Sequence, residues 1–157
     1  MDLIKASMPE YQAAIQAGDP TAADKVHVES ASLAAQQLKE AIQAGTNFIY
    51  DSTGSRKDIT IDYMKAAAKK GMKVELLFIA TTVENCLERA HLRGQKTGRF
   101  VPDDVIESSH YFSQMNFDDL IDYAHKWKVF NNDHSSFEFV FSSKEYEMLN
   151  NNVDILS

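Results

Sequence analysis

Asp51, Ser52, Thr53 and Gly54 follow a short apolar run, Phe48-Ile49-Tyr50. In an α/β protein such a run reads as a buried strand, and polar residues at its carboxyl end face the crevice where ligands bind. Further along, Arg89, Arg93 and Arg99 lie in a helix-then-loop stretch punctuated by Gly94 and Gly98. An acid at a strand end, with arginines on a glycine-flanked segment, suits phosphoryl transfer, where catalysis is mostly positioning and charge neutralisation. One usual component is missing: no G-x-x-x-x-G-K-S/T loop occurs in the chain to cradle phosphates.

Each of these residues also has a plainer reading. Arg89 and Arg93 are four apart and share a helical face, either a solvated stripe paired with Glu84 or Glu88 or a surface for an anion. Arg99 follows Thr97-Gly98 in a loop that suits a lid, where a guanidinium can grip phosphate oxygens bidentately. Asp51 either addresses a ligand or caps its own turn. The five histidines show no metal-ligand spacing and Cys86 falls on an apolar stripe, so no zinc site is expected. No serine stands in a nucleophile-elbow sequence. Phe112, Met115 and Phe117 read as core.

The elements that must position these groups alternate in type. Leu3 to Ala17 reads as a helix interrupted near Pro9 and closed by Gly18. Asp19 then caps a second helix with Pro20 at its first position, carrying Leu33, Leu38 and Ile42 on its apolar side and stopping at Gly45. Phe48 to Tyr50 is a short strand, and Asp58 to Lys70 a helix with Ile61, Met64 and Ala68 facing inward. Val74 to Ala80 is almost wholly apolar, as a strand buried on both faces requires. Thr81 and Glu84 match a capping box for a helix whose buried stripe is Val83, Cys86, Leu87 and Ala90. Pro102 opens another helix, Phe117 to His125 forms a further one, and strands follow at Trp127 to Phe130 and around Phe137 to Phe141. Strand-helix alternation predicts an α/β fold with a mainly parallel sheet flanked by helices.

Size and charge narrow the class. With 157 residues, 44% of them hydrophobic and 25% charged, one globular domain with a real core is expected. A net charge of −7 argues against a general nucleic-acid or anionic-membrane binder. A single cysteine suits a reducing compartment, and the start Met1-Asp2 has no basic region or long apolar run, so a cytoplasmic protein is expected.

In their order and spacing, several pieces resemble the zeta-toxin family of P-loop kinases. They are Asp2-Leu3-Ile4-Lys5 with Met8-Pro9-Glu10-Tyr11, then His27-Val28-Glu29-Ser30, the Asp51-Ser52-Thr53 strand end, Gly98-Arg99-Phe100-Val101-Pro102, and Lys128-Val129-Phe130-Asn131-Asn132. The resemblance implies a kinase that phosphorylates UDP-N-acetylglucosamine with ATP and magnesium, and whose toxin members pair with an antitoxin. It puts Asp2 at the general-base position, although an Asp before an apolar helix is also an ordinary N-cap. Glu29, otherwise a solvated helix carboxylate, becomes a substrate-binding acid together with Asp51, Thr53 and Arg89. Arg93 and Arg99 take the catalytic arginine roles and Asn131 a cofactor-binding one. The family usually has Glu where Asp51 stands, a shorter reach.

The family begins with a strand and phosphate loop that this sequence does not contain. Residues 1–157 therefore read as one kinase domain lacking its N-terminal segment, P-loop kinase-like without the first strand, with little or no activity alone. Two other readings stand beside it: a non-catalytic nucleotide-sugar-binding module, and an interaction protein whose exposed sheet edge is completed by a partner's strand or by a homodimer.

Overall fold

The computed structural model describes residues 2–19, 21–134 and 136–145. The fold is α/β, with a small sheet and helices, and the chain divides into two compact units. The first comprises Met1–Asp51 with Cys86–Glu107, the second Ser52–Asn85 with Ser108–Ser157.

The first unit is helical. Helices α1 (Asp2–Ser7) and α2 (Pro9–Gln16) are separated at Met8, whose extended backbone follows from the proline after it. Pro9 sits at the first helical position, where its missing N–H costs nothing. Asp19 does act as a cap: its Oδ1 accepts from the Thr21 amide at 2.8 Å and the Thr21 hydroxyl at 2.7 Å. Lys25 pairs with the same carboxylate, and together these donors hold the Asp19 pKa down to about 2. Pro20 lies outside the described residues. The single helix expected after Asp19 is instead α3 (Ala22–Lys25) and α4 (His27–Ala44), parted at Val26. Gly45 ends α4 at φ +66°, a left-handed conformation that spares glycine a Cβ clash, and Thr46 N–H reaches back to the Ala41 carbonyl.

Packing of α1 on α2 and α4, and of α3 on α2 and α4, buries Met8, Ala22, Val26, Leu38 and Ile42. Leu33, expected in that stripe, is exposed. The expected strand Phe48 to Tyr50 is absent: residues 46–51 have no strand pairing, and Ile49 is 97% exposed. A strand exists only through hydrogen bonds to a neighbour, and none is alongside. Asp51 is therefore not at a strand's end.

The second unit holds the sheet. Helix α5 (Lys57–Lys69) buries Thr60, Met64 and Ala67, while Ile61 is half-buried and Ala68 exposed. Strand β1 (Glu75–Ala80) pairs in parallel with β2 (Lys126–Asn131), and β2 pairs antiparallel with β3 (Glu138–Ser142). The sheet order is β1-β2-β3, so it is mixed rather than mainly parallel. The physical reason is connection length. Helices α6 (Val83–Thr97) and α7 (Asp103–Ile121) bridge β1 to β2, long enough for a parallel crossover, whereas the short segment from β2 to β3 can only reverse the chain.

One face of the sheet is covered. Phe117 of α7 packs on Phe78 with ring centroids 4.7 Å apart and on Trp127 at 5.7 Å, and Leu120 beside it is 3% exposed. The other face is open. Leu77 is 55% and Ile79 43% exposed, so β1 is not the doubly buried strand its composition predicts. Helix α7 is one helix where two are expected, and it turns Phe112 and Met115 to solvent, leaving only Phe117 of that trio packed inward. The capping box also shifts: Thr82 Oγ1 accepts from the Asn85 amide at 3.3 Å, because Thr81 is drawn to Asp133.

Candidate functional site

The arginine segment lies in the first unit and is tightly formed. At the end of α6 the Gly98 amide donates to the Gly94 carbonyl at 2.8 Å, and Gly98 adopts φ +73°. Thr97 then joins the two expected catalytic arginines. Its hydroxyl donates to the Arg93 carbonyl at 2.7 Å and accepts from the Arg99 amide at 3.3 Å. Phe100 folds back onto Gly94 so closely that a Cβ there would stand 2.6 Å from its ring. His91 Nε2 and Asp103 Oδ1 lie 2.6 Å apart, so the segment between α6 and α7 is pinned at both ends. Ile15 of α2 lies against Gly98. The result is a fixed turn that carries Arg99, half-buried, beside an α6 face exposing Arg89 and Arg93. The hydrogen bonds of Thr97 order the backbone of this turn at the Arg93 carbonyl and the Arg99 amide.

Glu29 is in the first turn of α4, exposed, and makes no polar contact with the described residues. Asp51 is also exposed and makes no polar contact with the described residues, and its neighbours form a turn. Ser52 Oγ accepts from the Gly54 amide at 3.3 Å, and Thr53 Oγ1 accepts from the Ser55 amide at 3.4 Å. Thr53 is thus engaged in local structure, with Ser55 Oγ 2.8 Å away. Asp2 opens α1, and its side chain lies outside the described structure.

Asn131, in the second unit, also serves a turn: its Oδ1 accepts from the Asp133 amide at 2.7 Å. Asp133 is the residue that sequence reasoning missed. Its Oδ1 accepts from the Thr82 amide at 2.8 Å, the Thr81 hydroxyl at 2.9 Å and the Asn85 side chain at 3.0 Å. Those donors, the Thr82 amide first, hold its pKa below the ordinary carboxylate value. The cluster sits at the carboxyl ends of β1 and β2. His110 Nε2 adds a contact of 2.9 Å with the Thr81 carbonyl. Asn116 is the second omission. Buried on α7, it donates to the Gly54 and Ser55 carbonyls at 2.9 and 3.0 Å and fastens that loop. Lys5 is the third, a lysine only 4% exposed, which its place in an amphipathic helix did not signal.

An open groove of about 620 Å³ runs in the second unit between the start of α5 and one side of α7. Its walls include Arg56, Lys57, Tyr111, Phe112, Met115 and Asp119, and no residue expected from sequence to bind or react. Lys57 is tied to Asp119, which raises the lysine pKa. Among the described residues no group of three or more His, Cys, Asp or Glu is placed to hold a metal ion. No described helix is long and apolar enough to cross a membrane.

A helical unit with an ordered turn at Thr97 and a small three-stranded mixed sheet make this an α/β protein. Comparison with protein families is specific: the zeta toxin family model matches residues 1–139, and the chain belongs to that family. Comparison with curated proteins and with solved structures gave no match.

Proposed function

We propose that this chain is a kinase-type domain acting on a hydroxyl of a nucleotide sugar, with UDP-N-acetylglucosamine as the first substrate to try and ATP as phosphoryl donor. The observation that carries the reading is the ordered Arg93–Thr97–Arg99 turn within a chain of the zeta toxin family. Those bonds hold the backbone that carries Arg93 and Arg99, and a guanidinium borne on it can neutralise charge as a phosphoryl group moves. Glu29 and Asp51, exposed and without polar contacts among the described residues, have acceptor oxygens for sugar or ribose hydroxyls. Asp2 takes the base role, accepting the proton of the attacking hydroxyl. Turnover by this chain alone is weak or nil, since its sequence has no G-x-x-x-x-G-K-S/T loop to cradle the donor's phosphates. An antitoxin protein is the partner this reading brings with it.

The second reading, a non-catalytic nucleotide-sugar-binding module, draws on the same free carboxylates and on the missing phosphate loop. One experiment separates the two. The protein is incubated with Mg·ATP and UDP-N-acetylglucosamine, product is read by mass spectrometry, and sugar binding is read by calorimetry. Phosphorylated sugar at any level, lost in Arg99→Ala, supports the kinase. Binding without product, weakened in Glu29→Gln and Asp51→Asn, supports the module. Neither binding nor product overturns both.

A further inference from the structure

The two edges of the sheet are built differently. On β3 the ladder is interrupted by an irregularity opposite Val129 and Phe130, and the Ser142 amide is taken by Glu145 Oε2 at 2.8 Å. Strand β1 has no such protection. Its sequence, ELLFIA, contains no proline and no lysine, and its register with β2 runs unbroken from Glu75↔Lys126 to Ala80↔Asn131. The Val74 carbonyl accepts from Lys126 and the Ala80 carbonyl from Asn132. By the two-residue repeat of a strand, Leu76 and Phe78 also face β2. The N–H and C=O groups of Glu75, Leu77 and Ile79 therefore point to the outer edge, where no strand among the described residues pairs with them.

We propose that this edge is a self-association surface, on which β1 of a second copy pairs antiparallel about a two-fold axis at Leu77. In that register Leu77 meets Leu77 and Glu75 meets Ile79, so every outward N–H and C=O finds a partner in the other copy. No other register pairs all three outward residues with outward residues.

Charge favours the same arrangement. The one charged residue of β1, Glu75, is already neutralised by Lys128 at 2.8 Å, so no like charges meet. Lys73, exposed at the amino end of the strand, comes opposite Thr81 of the second copy, whose hydroxyl donates to the ionised Asp133. The basic end of each copy thus lies by the acidic end of the other. On the open face, exposed Leu77 and Ile79 come beside their counterparts across the axis, and part of their apolar surface leaves water. This inference is independent of the phosphoryl-transfer reading.

The test combines mass and local protection. Sedimentation from about 1 µM to about 1 mM measures association, and amide exchange is followed residue by residue over the same range. The expected result is a dimer in which Leu77 and Ile79 amides slow by about tenfold or more, while Leu76 and Phe78, already bonded to β2, do not change. Leu77→Pro removes an outward donor without touching the β1–β2 ladder, and it should abolish the dimer. Ile79→Lys blocks the same edge by a different route, and Trp127 fluorescence confirms that either variant is folded. Lys73→Glu should weaken association by about tenfold or more. A monomer at every concentration overturns the proposal. So does a dimer whose Leu77 and Ile79 amides exchange at the monomer rate.

Discussion

A methyl group added at Gly94 would collide with the Phe100 ring, and Phe100 is the residue immediately after Arg99. Gly94→Ala gains about 1 kcal/mol of helix propensity, while the half-exposed ring can swing outward to make room. Stability is therefore expected to stay within about 1 kcal/mol of the parent, whereas the Arg99 turn loosens. NMR relaxation of the Gly98 and Arg99 amides reads that change. At Asp133 the expectation concerns pH. Its folded pKa is depressed, so the stability it contributes is present above the ordinary value of 3.8 and is lost as pH falls through the lowered value. Thr81→Val removes one donor, and the Asp133 carboxyl should then titrate at higher pH, a shift visible in carbonyl NMR. Glu29 and Asp51 stand out in the sequence as acids at a helix start and after an apolar run, and both are exposed in the fold. Asp133 does not stand out, because its donors come from Thr81, Thr82 and Asn85, about fifty residues earlier.

Among elements, some helix ends were readable because they are written locally, as where Pro9 starts α2, Gly45 stops α4 and Pro102 precedes α7. The break at Val26 and the continuity of α7 were not. Strands carry no such signature. Phe48-Ile49-Tyr50 has the composition of a strand and no neighbour to pair with, while Val74 to Ala80 has the composition of a doubly buried strand and only one covered face. Residue type records what a segment tolerates, and burial on the second face depends on what is built beside it. The covered face is where α7 earns its position. Leu120→Ala, deep beneath that helix, should cost about 2–5 kcal/mol, measured as a lower denaturant midpoint with Trp127 emission as the probe. An equivalent change at exposed Met115 should stay within about 0.5 kcal/mol.

At the scale of the whole molecule, charge is the plainest determinant. Net −7 leaves no general basic surface, and the arginines of α6 form a local exception rather than a stripe. A labelled DNA duplex at about 0.15 M salt should show no anisotropy change with this protein, because phosphate binding needs several cations to release counterions. The parallel pairing of β1 with β2 has a kinetic side as well. Val74 and His125 meet across 51 residues of chain, and the ladder cannot begin until that loop closes. Loop-closure entropy of that length is on the order of 3–4 kcal/mol, set against contacts that reward it only afterwards. On a ribosome, β1 emerges well before the strand that pairs with it. For that interval Leu-Leu-Phe-Ile is a bare apolar segment, and its folding yield should depend on chaperone occupancy during synthesis more than on the stability of the finished sheet.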